Sequence, residues 1–155
     1  MHRIISNIVV CTFVFTSVGC GGGEQVDADP NDAPDVSTQP SATVQIVSPE
    51  EGATVGTDVT VTLQTSGIEI VSITPPVPGT GHHHLYVDVD LTPLNEMIPQ
   101  GNPQIIHQGD GSTERTIEGL APGPHRIIAV VANPAHIPID PPVIDTVHFC
   151  SGGNC

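Results

Sequence analysis

Polar and apolar residues alternate over several short stretches between residues 42 and 150. Alternation with a period of two is typical of β-strands that have one buried face. The clearest case is 59–63, where Val59, Val61 and Leu63 would share the core face. Helical periodicity is nearly absent, and only residues 94–97 suggest a helical turn. We predict strands at 43–47, 59–63, 68–73, 82–91, 113–117, 124–132 and 143–149.

About seven short strands separated by turns favour an all-β domain, an antiparallel β-sandwich like the immunoglobulin and fibronectin type III folds. We place this domain at residues 42–150, a length sufficient for one hydrophobic core. Its opening, Ser48-Pro-Glu-Glu-Gly-Ala-Thr-Val55, is similar to that of many exported bacterial immunoglobulin-like modules. The chain has no Trp and one Tyr, so Val, Ile and Leu must fill the core. The missing Trp and the absence of a cysteine pair between the sheets exclude an antibody-type domain.

The first 19 residues are predicted to be an export signal. A short positive region precedes an apolar stretch at 4–18, which is shorter than the roughly 20 residues that a membrane-spanning helix needs. Small residues then precede Cys20, an arrangement that resembles a bacterial lipoprotein signal, although Ser17 replaces the usual leucine. The alternative is an ordinary secretory signal cut near Gly19. We favour the lipoprotein, with a lipid on Cys20 as its membrane anchor.

Residues 20–41 are rich in glycine, proline and aspartate and contain no aromatic residue. Low hydrophobicity and like charge prevent such a chain from collapsing, so we expect a flexible linker between the anchor and the domain. The expected location is therefore the cell envelope, at the outer membrane or its periplasmic face. The glycine that follows Cys20 favours the outer membrane, by resemblance to lipoprotein sorting in enteric bacteria.

The charge of the exported chain is strongly negative. Removal of residues 1–19 leaves two basic and seventeen acidic side chains, a net charge of −15 with neutral histidines. Nucleic acids and anionic lipids require cationic surfaces, so we exclude nucleic acid as a partner. An anionic surface is compatible with a metal cation.

Two cysteines remain beyond the signal and the anchor. Cys150 and Cys155 flank a glycine-containing tail, residues 151–155, at the C-terminus. In an oxidising exported compartment a disulfide is the expected state of such a pair. The alternative is a pair of thiolates that binds a metal. We favour the disulfide.

Three consecutive histidines, His82, His83 and His84, stand at the start of a predicted strand. Because side chains alternate in a strand, His82 and His84 would share one face and His83 would lie on the other. Two histidines on one face are a suitable start for a metal site. Four more histidines follow in the sequence: His107, His125, His136 and His148.

His125 and His136 flank the same predicted strand, so they should not converge unless the chain folds back. We therefore predict a metal site of His82 and His84 with one or both of His107 and His125. Accessory ligands could be His83, Glu114, Asp110 or His136. Neutral imidazole suits Zn²⁺, Cu²⁺ and Ni²⁺, of which we favour Cu²⁺ or Zn²⁺. A blue-copper site is disfavoured because it needs a cysteine among the ligands.

Four motifs together resemble an uncharacterised bacterial family, domain of unknown function 4399. They are Gly79-Thr-Gly-His-His-His84, His107-Gln-Gly-Asp-Gly-Ser-Thr-Glu114, Leu120-Ala-Pro-Gly-Pro-His125 and His136-Ile-Pro-Ile-Asp-Pro-Pro142. The resemblance covers about residues 78–147, with two departures: Ser112 replaces a glutamine and Ile139 replaces a second late histidine. The family has no established activity, so the resemblance implies a pattern of residues and no function.

A second hypothesis treats the histidines as structural. An imidazole at a strand edge can hydrogen-bond a loop carbonyl, as His125 and His136 would do beside prolines. The protein would then be an adhesion or assembly module of the cell envelope whose protein partner is unknown. The sequence contains no nucleophile elbow of the Gly-x-Ser-x-Gly kind, no phosphate-binding loop and no dinucleotide fingerprint. We therefore do not expect an enzyme.

Overall fold

The computed structural model describes residues 41–153 and 155. The predicted signal peptide, Cys20 and all but the last residue of the predicted linker lie outside the described residues. Within the described part, no helix is long and apolar enough to cross a membrane.

Eight β-strands form in residues 41–153 and 155, and they belong to two sheets. In chain order they are β1 (Thr43–Ser48), β2 (Thr54–Val55), β3 (Val59–Ser66), β4 (His82–Val87), β5 (Ile105–Gln108), β6 (Glu114–Ile117), β7 (Gly123–Ala132) and β8 (Ile144–Ser151). The smaller sheet has the order β1-β3-β6, and the larger has the order β2-β8-β7-β4-β5. All pairs are antiparallel except β2 with β8.

The strand order is that of an immunoglobulin-like sandwich. β3 lies between β1 and β6 in one sheet, as strand B lies between A and E. β7 lies between β4 and β8 in the other, as strand F lies between C and G, and β5 extends that sheet as C′ does. The predicted β-sandwich is therefore confirmed.

The main core is aliphatic and lies between the two sheets. Val59, Val61 and Leu63 of β3 point into it, as the alternation predicted. Leu85 and Val87 of β4 face them from the larger sheet. Each fully buried side chain of this size contributes about 1.5–3 kcal/mol to folding.

A second apolar cluster covers the outer face of the larger sheet. Tyr86 of β4 packs there with Ile128 and Val130 of β7 and with Ile98, which lies in the connection between β4 and β5. Every residue of β4 is buried, because the strand has the main core on one side and this cluster on the other. The outer face of β4 carries His82 and His84 beside Tyr86. The two histidines therefore lie at the edge of this second apolar cluster.

Four of the sequence predictions need correction. Residues 68–73 form no strand; they make isolated bridges through Ile70 and Ser72. The strand predicted at 82–91 ends at Val87, because Asp88 adopts a left-handed conformation with φ of 57°. Residues 94–97 form a turn and no helix. β5 was not predicted, since its four residues show no alternation that the sequence could reveal.

The C-terminal cysteines form a disulfide, Cys150–Cys155, as we favoured. β8 continues past the predicted end at residue 149 to Ser151, where it pairs with β2 and with the start of β7.

Candidate metal centre

β4 presents its three histidines to both faces of the larger sheet. His82 and His84 lie on the outer face, and His83 points toward the opposite sheet, where its Nε2 lies 2.8 Å from the Thr65 hydroxyl oxygen. The relative accessibility of His82 and His83 is 0% and that of His84 is 1%. On the outer face, imidazoles from β5 and from the loop after β7 lie beside His82 and His84.

β5 brings His107 to this face. In the antiparallel ladder of β4 and β5, His107 pairs directly with His84, so the two side chains stand side by side. Tyr86 pairs with Ile105 one step along the same face, which anchors β5 to the apolar cluster. His107 itself is exposed.

His136 reaches the group because the chain reverses direction after β7. β7 ends at Ala132, which pairs with His82, and the next residues turn back over it until Pro138 bridges to Ala132. The Asn133 side chain holds this turn, since its Oδ1 accepts hydrogen bonds from the backbone N–H groups of Ala135 and Ile137 at 2.8 and 3.2 Å. His136 itself has φ of 63°, in the left-handed region.

The carbonyl of His136 also has a partner. It accepts a hydrogen bond of 2.8 Å from the N–H of Ile98, which is fully buried in the outer apolar cluster. A non-glycine residue with positive φ stores about 1–3 kcal/mol of backbone strain and persists only where its surroundings hold it. Such strain is concentrated at functional sites, including clamps for ligands.

The four imidazoles form one compact group. His82, His84, His107 and His136 each offer a ligand atom, and these atoms all lie within 4.8 Å of one another. The six distances between ring centroids range from 4.8 to 5.6 Å. The Nε2 atoms of His82 and His84 are 2.9 Å apart and share a hydrogen bond, so one ring donates and the other accepts. Around a tetrahedral zinc ion the ligand nitrogens would be about 3.4 Å apart, so only small movements separate this group from a coordination sphere.

The electrostatics of the group favour neutral rings. Burial, reinforced by the neighbouring histidines His136 and His107, lowers the pKa of His82 to about 4. Burial and the other three rings of the group lower the pKa of His84 to about 3. Burial and His136 also lower the pKa of His107, with Asp110 opposing them. A neutral imidazole has the lone pair that a metal ligand needs, and burial favours that form in His82, His84 and His107.

Two ring nitrogens on this face remain unpaired. The Nδ1 atoms of His82 and His84 are buried and form no hydrogen bond with the described residues. A buried polar atom without a partner costs about 1–3 kcal/mol, and a native structure usually has a functional reason for it. The four imidazoles together form a group that can hold a metal ion.

A comparison with known families agrees with the histidine pattern. A family model described as Domain of unknown function (DUF4399) matches residues 61–149, more than half of the chain. The chain belongs to this family. No curated protein and no solved structure matched the chain.

The DUF4399 match runs from β3 to β8 and includes every histidine that the structure describes. Within it the structure brings together three of the predicted ligands, His82, His84 and His107. The fourth member of the group is His136, which was predicted only as an accessory ligand. For His125 to join this group, His82 and His125 would have to lie at the same end of the sandwich. Antiparallel pairing of β4 with β7 instead places His82 opposite Ala132, at the end of β7 from which His136 follows.

His125 lies outside the group, at the other end of β7, and has a different role. Its Nδ1 is 2.7 Å from Asp88 Oδ2 and its Nε2 is 2.7 Å from the Ala121 carbonyl oxygen. Both partners are acceptors, so this arrangement favours the imidazolium form, in which both ring nitrogens donate. Burial opposes this charge, but the Ala121 carbonyl and Asp88 outweigh it and raise the pKa of His125. A doubly protonated ring has no lone pair for a metal.

The remaining accessory candidates also lie outside the group. His83 faces the main core, and Glu114 is exposed in β6, a strand of the other sheet. The Asp110 carboxylate accepts hydrogen bonds from the Ser112 N–H and hydroxyl within its own turn. His148 is exposed, and its Nδ1 lies 3.5 Å from Oε1 of Glu51.

Proposed function

We propose that this DUF4399 domain binds one transition-metal ion, Cu²⁺ or Zn²⁺, through His82, His84, His107 and His136. The observation that carries the proposal is the meeting of four imidazoles from three chain segments, with ligand atoms within 4.8 Å of one another. Two of these rings are fully or almost fully buried. Four like side chains do not converge in a predominantly aliphatic fold without a compensating interaction, and a shared metal ion supplies one.

The donor set selects the class of metal. Imidazole nitrogens suit Zn²⁺, Cu²⁺ and Ni²⁺, whereas Mg²⁺, Ca²⁺ and Mn²⁺ prefer oxygen ligands. None of the four ligands is a carboxylate or a thiolate. A bound ion would replace the hydrogen bond between the Nε2 atoms of His82 and His84. This chemistry favours Cu²⁺ or Zn²⁺ over hard cations and over blue copper.

We also propose that the protein is a lipoprotein of the cell envelope, anchored through Cys20. The apolar segment followed by small residues and Cys20 supports this location, as does the acidic linker that follows. Detergent-phase partitioning of the protein made in bacteria tests it, with Cys20→Ser as the comparison. The wild type should enter the detergent phase and carry a lipid by mass spectrometry, and the variant should do neither. A wild-type protein without lipid, cut at residue 19, would show an ordinary secretory signal.

Metal binding is tested by calorimetric titration of the full-length protein with Cu²⁺ and with Zn²⁺. The protein is purified without a polyhistidine tag and treated with a chelator, so that the natural histidines are the ligands. We expect one equivalent to bind, and a hundredfold excess of metal over the dissociation constant should stabilise the fold by about 2.7 kcal/mol. Mg²⁺ serves as the control and should produce no stabilisation.

Absence of stoichiometric binding of either ion would overturn the metal proposal. The combined His82→Ala and His84→Ala variant then decides what the histidines do. If the variant is less stable than a metal-free wild type, the histidines hold the fold. The hypothesis of an adhesion or assembly module would then replace the metal proposal.

A further inference from the structure

We infer that Gly109 is a positioning residue of the metal centre, because its missing side chain leaves the space into which the His107 imidazole folds. The inference rests on the proposed metal site and assigns a role in it to a residue that binds nothing. Gly109 is the first residue after β5. It lies two positions from His107, in the turn that follows the strand.

The available space is the first argument. A Cβ atom built on Gly109 would lie 2.5 Å from the Nε2 atom of His107 and would also overlap the Cε1 atom of the same ring. It would lie 3.2 Å from Cδ1 of Ile73. The imidazole of His107 therefore lies directly over the Cα of Gly109. In that position its centroid is 5.0 Å from that of His82 and 4.8 Å from that of His136.

The backbone provides the second argument, by elimination. Glycine is often required where φ is positive, as it is at Gly111, where φ is 80°. Gly109 is not among the described glycines with positive φ, so an L-amino acid could adopt its backbone conformation. Its backbone N–H and C=O are equally available to any residue other than proline. The side-chain space beside His107 is therefore the reason for glycine at this position.

The effect of a side chain at position 109 depends on which of the clashing atoms moves. The atoms that would clash are at the end of an exposed and rotatable side chain. We therefore expect the His107 ring to swing toward solvent when residue 109 gains a Cβ, while the sheet stays intact. The fold would survive and the metal site would lose one ligand. A core glycine behaves differently: a Cβ on Gly81 would meet Cγ1 of Val131 at 2.7 Å, inside the sandwich.

The test is Gly109→Ala in the full-length protein, with Gly56→Ala as the matched control. Gly56 also lacks a positive φ, and its Cβ would meet nothing closer than the Asp58 carbonyl oxygen at 3.9 Å. We expect Gly109→Ala to weaken Cu²⁺ binding at least about tenfold, the scale on which supporting residues act at metal sites. Gly56→Ala should change the affinity by no more than about twofold. Pulsed electron paramagnetic resonance should count one coordinated imidazole fewer in Gly109→Ala and an unchanged number in the control.

A double variant shows whether Gly109 acts through His107. In a His107→Ala background there is no ring to displace, so Gly109→Ala should have no further effect on metal affinity or on the unfolding midpoint. This comparison remains decisive if Gly109→Ala alone is unstable, since removal of the ring should then restore stability. A loss of stability or affinity that is as large in the His107→Ala background as in the wild type would overturn the inference.

The outcomes also separate this inference from the proposed function. If the wild type binds neither Cu²⁺ nor Zn²⁺, both the proposed metal site and the role of Gly109 in it are overturned. If the wild type binds and Gly109→Ala binds equally well, with the same number of imidazoles, only the role of Gly109 is overturned.

Discussion

At the scale of single residues, one residue type has three roles in this domain, and the surroundings of each ring decide which. His82 and His84 are buried beside two other imidazoles and are held neutral. His83 lies between them in sequence but faces the other sheet and Thr65. His125 is held charged between a carboxylate and a carbonyl. Only the environment of His82 and His84 brings ring nitrogens with free lone pairs close to those of other histidines.

The exposed histidine His107 offers the cleanest mutation in the group. His107→Ala removes one proposed ligand but little buried surface, so we expect Cu²⁺ affinity to fall at least about tenfold while the free energy of unfolding of the metal-free protein changes by under about 1 kcal/mol. His148→Ala is the control, because His148 is also an exposed histidine of a strand in the same sheet. Calorimetric titration measures both variants. Equal affinities of the two would show that His107 is not a ligand.

The sequence contains enough information to predict the pair on β4 but not the whole group. His82 and His84 share a face by the alternation of any strand, whichever fold contains it. The choice between His125 and His136 depends on which end of β7 adjoins the start of β4, and that is a matter of pairing between strands far apart in sequence. Had β4 and β7 been assigned as neighbours in the antiparallel sheet, the residues after β7 would have been the better candidates. The turn at Asn133-Pro134 was the available signal for a reversal of the chain.

The imidazolium of His125 predicts a pH dependence that the metal ligands do not share. Its pKa is raised in the folded state, so its contribution to stability is full below the unfolded value of 6.5 and is lost as the pH rises through the folded value. Urea unfolding of the metal-free protein should show this decline on the alkaline side, and His125→Asn should abolish it. The slope should be less than about 1.4 kcal/mol per pH unit, because the Asp88 side chain is 37% exposed and solvent screens the pair. An identical alkaline decline in the variant would contradict this role.

At the scale of structural elements, the site depends on two pieces that carry weak sequence signals. β5 is four residues long and has a buried Ile105 and a buried Gln108 but no regular alternation. The turn after β7 is irregular and is held by the Asn133 side chain. The long alternating strands β1, β3 and β8 were predictable because half of each faces the core. By contrast, residues 68–73 have the apolar residues of a strand, yet they pack on the core from a bend.

The position of His136 should depend on Asn133, whose side chain holds the turn after β7. Asn133→Ala removes two hydrogen bonds to the backbone, about 1 kcal/mol each, and with them the support of a left-handed His136. We expect metal affinity to fall although no ligand has changed. Asn102→Ala is a matched control, since Asn102 also caps a turn, through a bond of 3.0 Å from the Gln104 N–H, and lies in the connection before β5. Titration and unfolding of both variants distinguish a local effect on the site from a general loss of stability, and equal affinities would contradict a role of the turn.

At the scale of the whole molecule, the sandwich carries the group of four histidines at one end of its larger sheet and the contact of His125 with Asp88 at the other. Antiparallel pairing of β4 with β7 separates the two, because His82 pairs with Ala132 and Val87 pairs with Ile127. The two sites should therefore respond to pH independently and in opposite directions. Together they predict a stability maximum near neutral pH.

The buried histidines should cause the loss of stability on the acid side of this maximum. The pKa values of His82 and His84 are about 4 and about 3 in the folded state, below the unfolded value of 6.5. Between these limits the unfolded chain binds protons that the folded chain does not, so stability falls as the pH falls from 6.5 to about 4. Each ring contributes a slope of up to about 1.4 kcal/mol per pH unit. Urea unfolding of the metal-free protein from pH 7 to pH 4 measures this decline, and the combined His82→Ala and His84→Ala variant should lose it. A stability of the wild type that stays flat over that range would contradict the burial of neutral rings.

The most direct measurement of the central claim is X-ray absorption spectroscopy of the tag-free protein loaded with one equivalent of Zn²⁺. The four histidines predict a shell of nitrogen ligands at about 2.0–2.1 Å, with the outer-shell scattering of imidazole rings. Fitting should give four imidazoles in the wild type and three in His107→Ala. A shell of oxygen atoms, as for the hydrated ion, or a spectrum unchanged by His107→Ala would contradict the account.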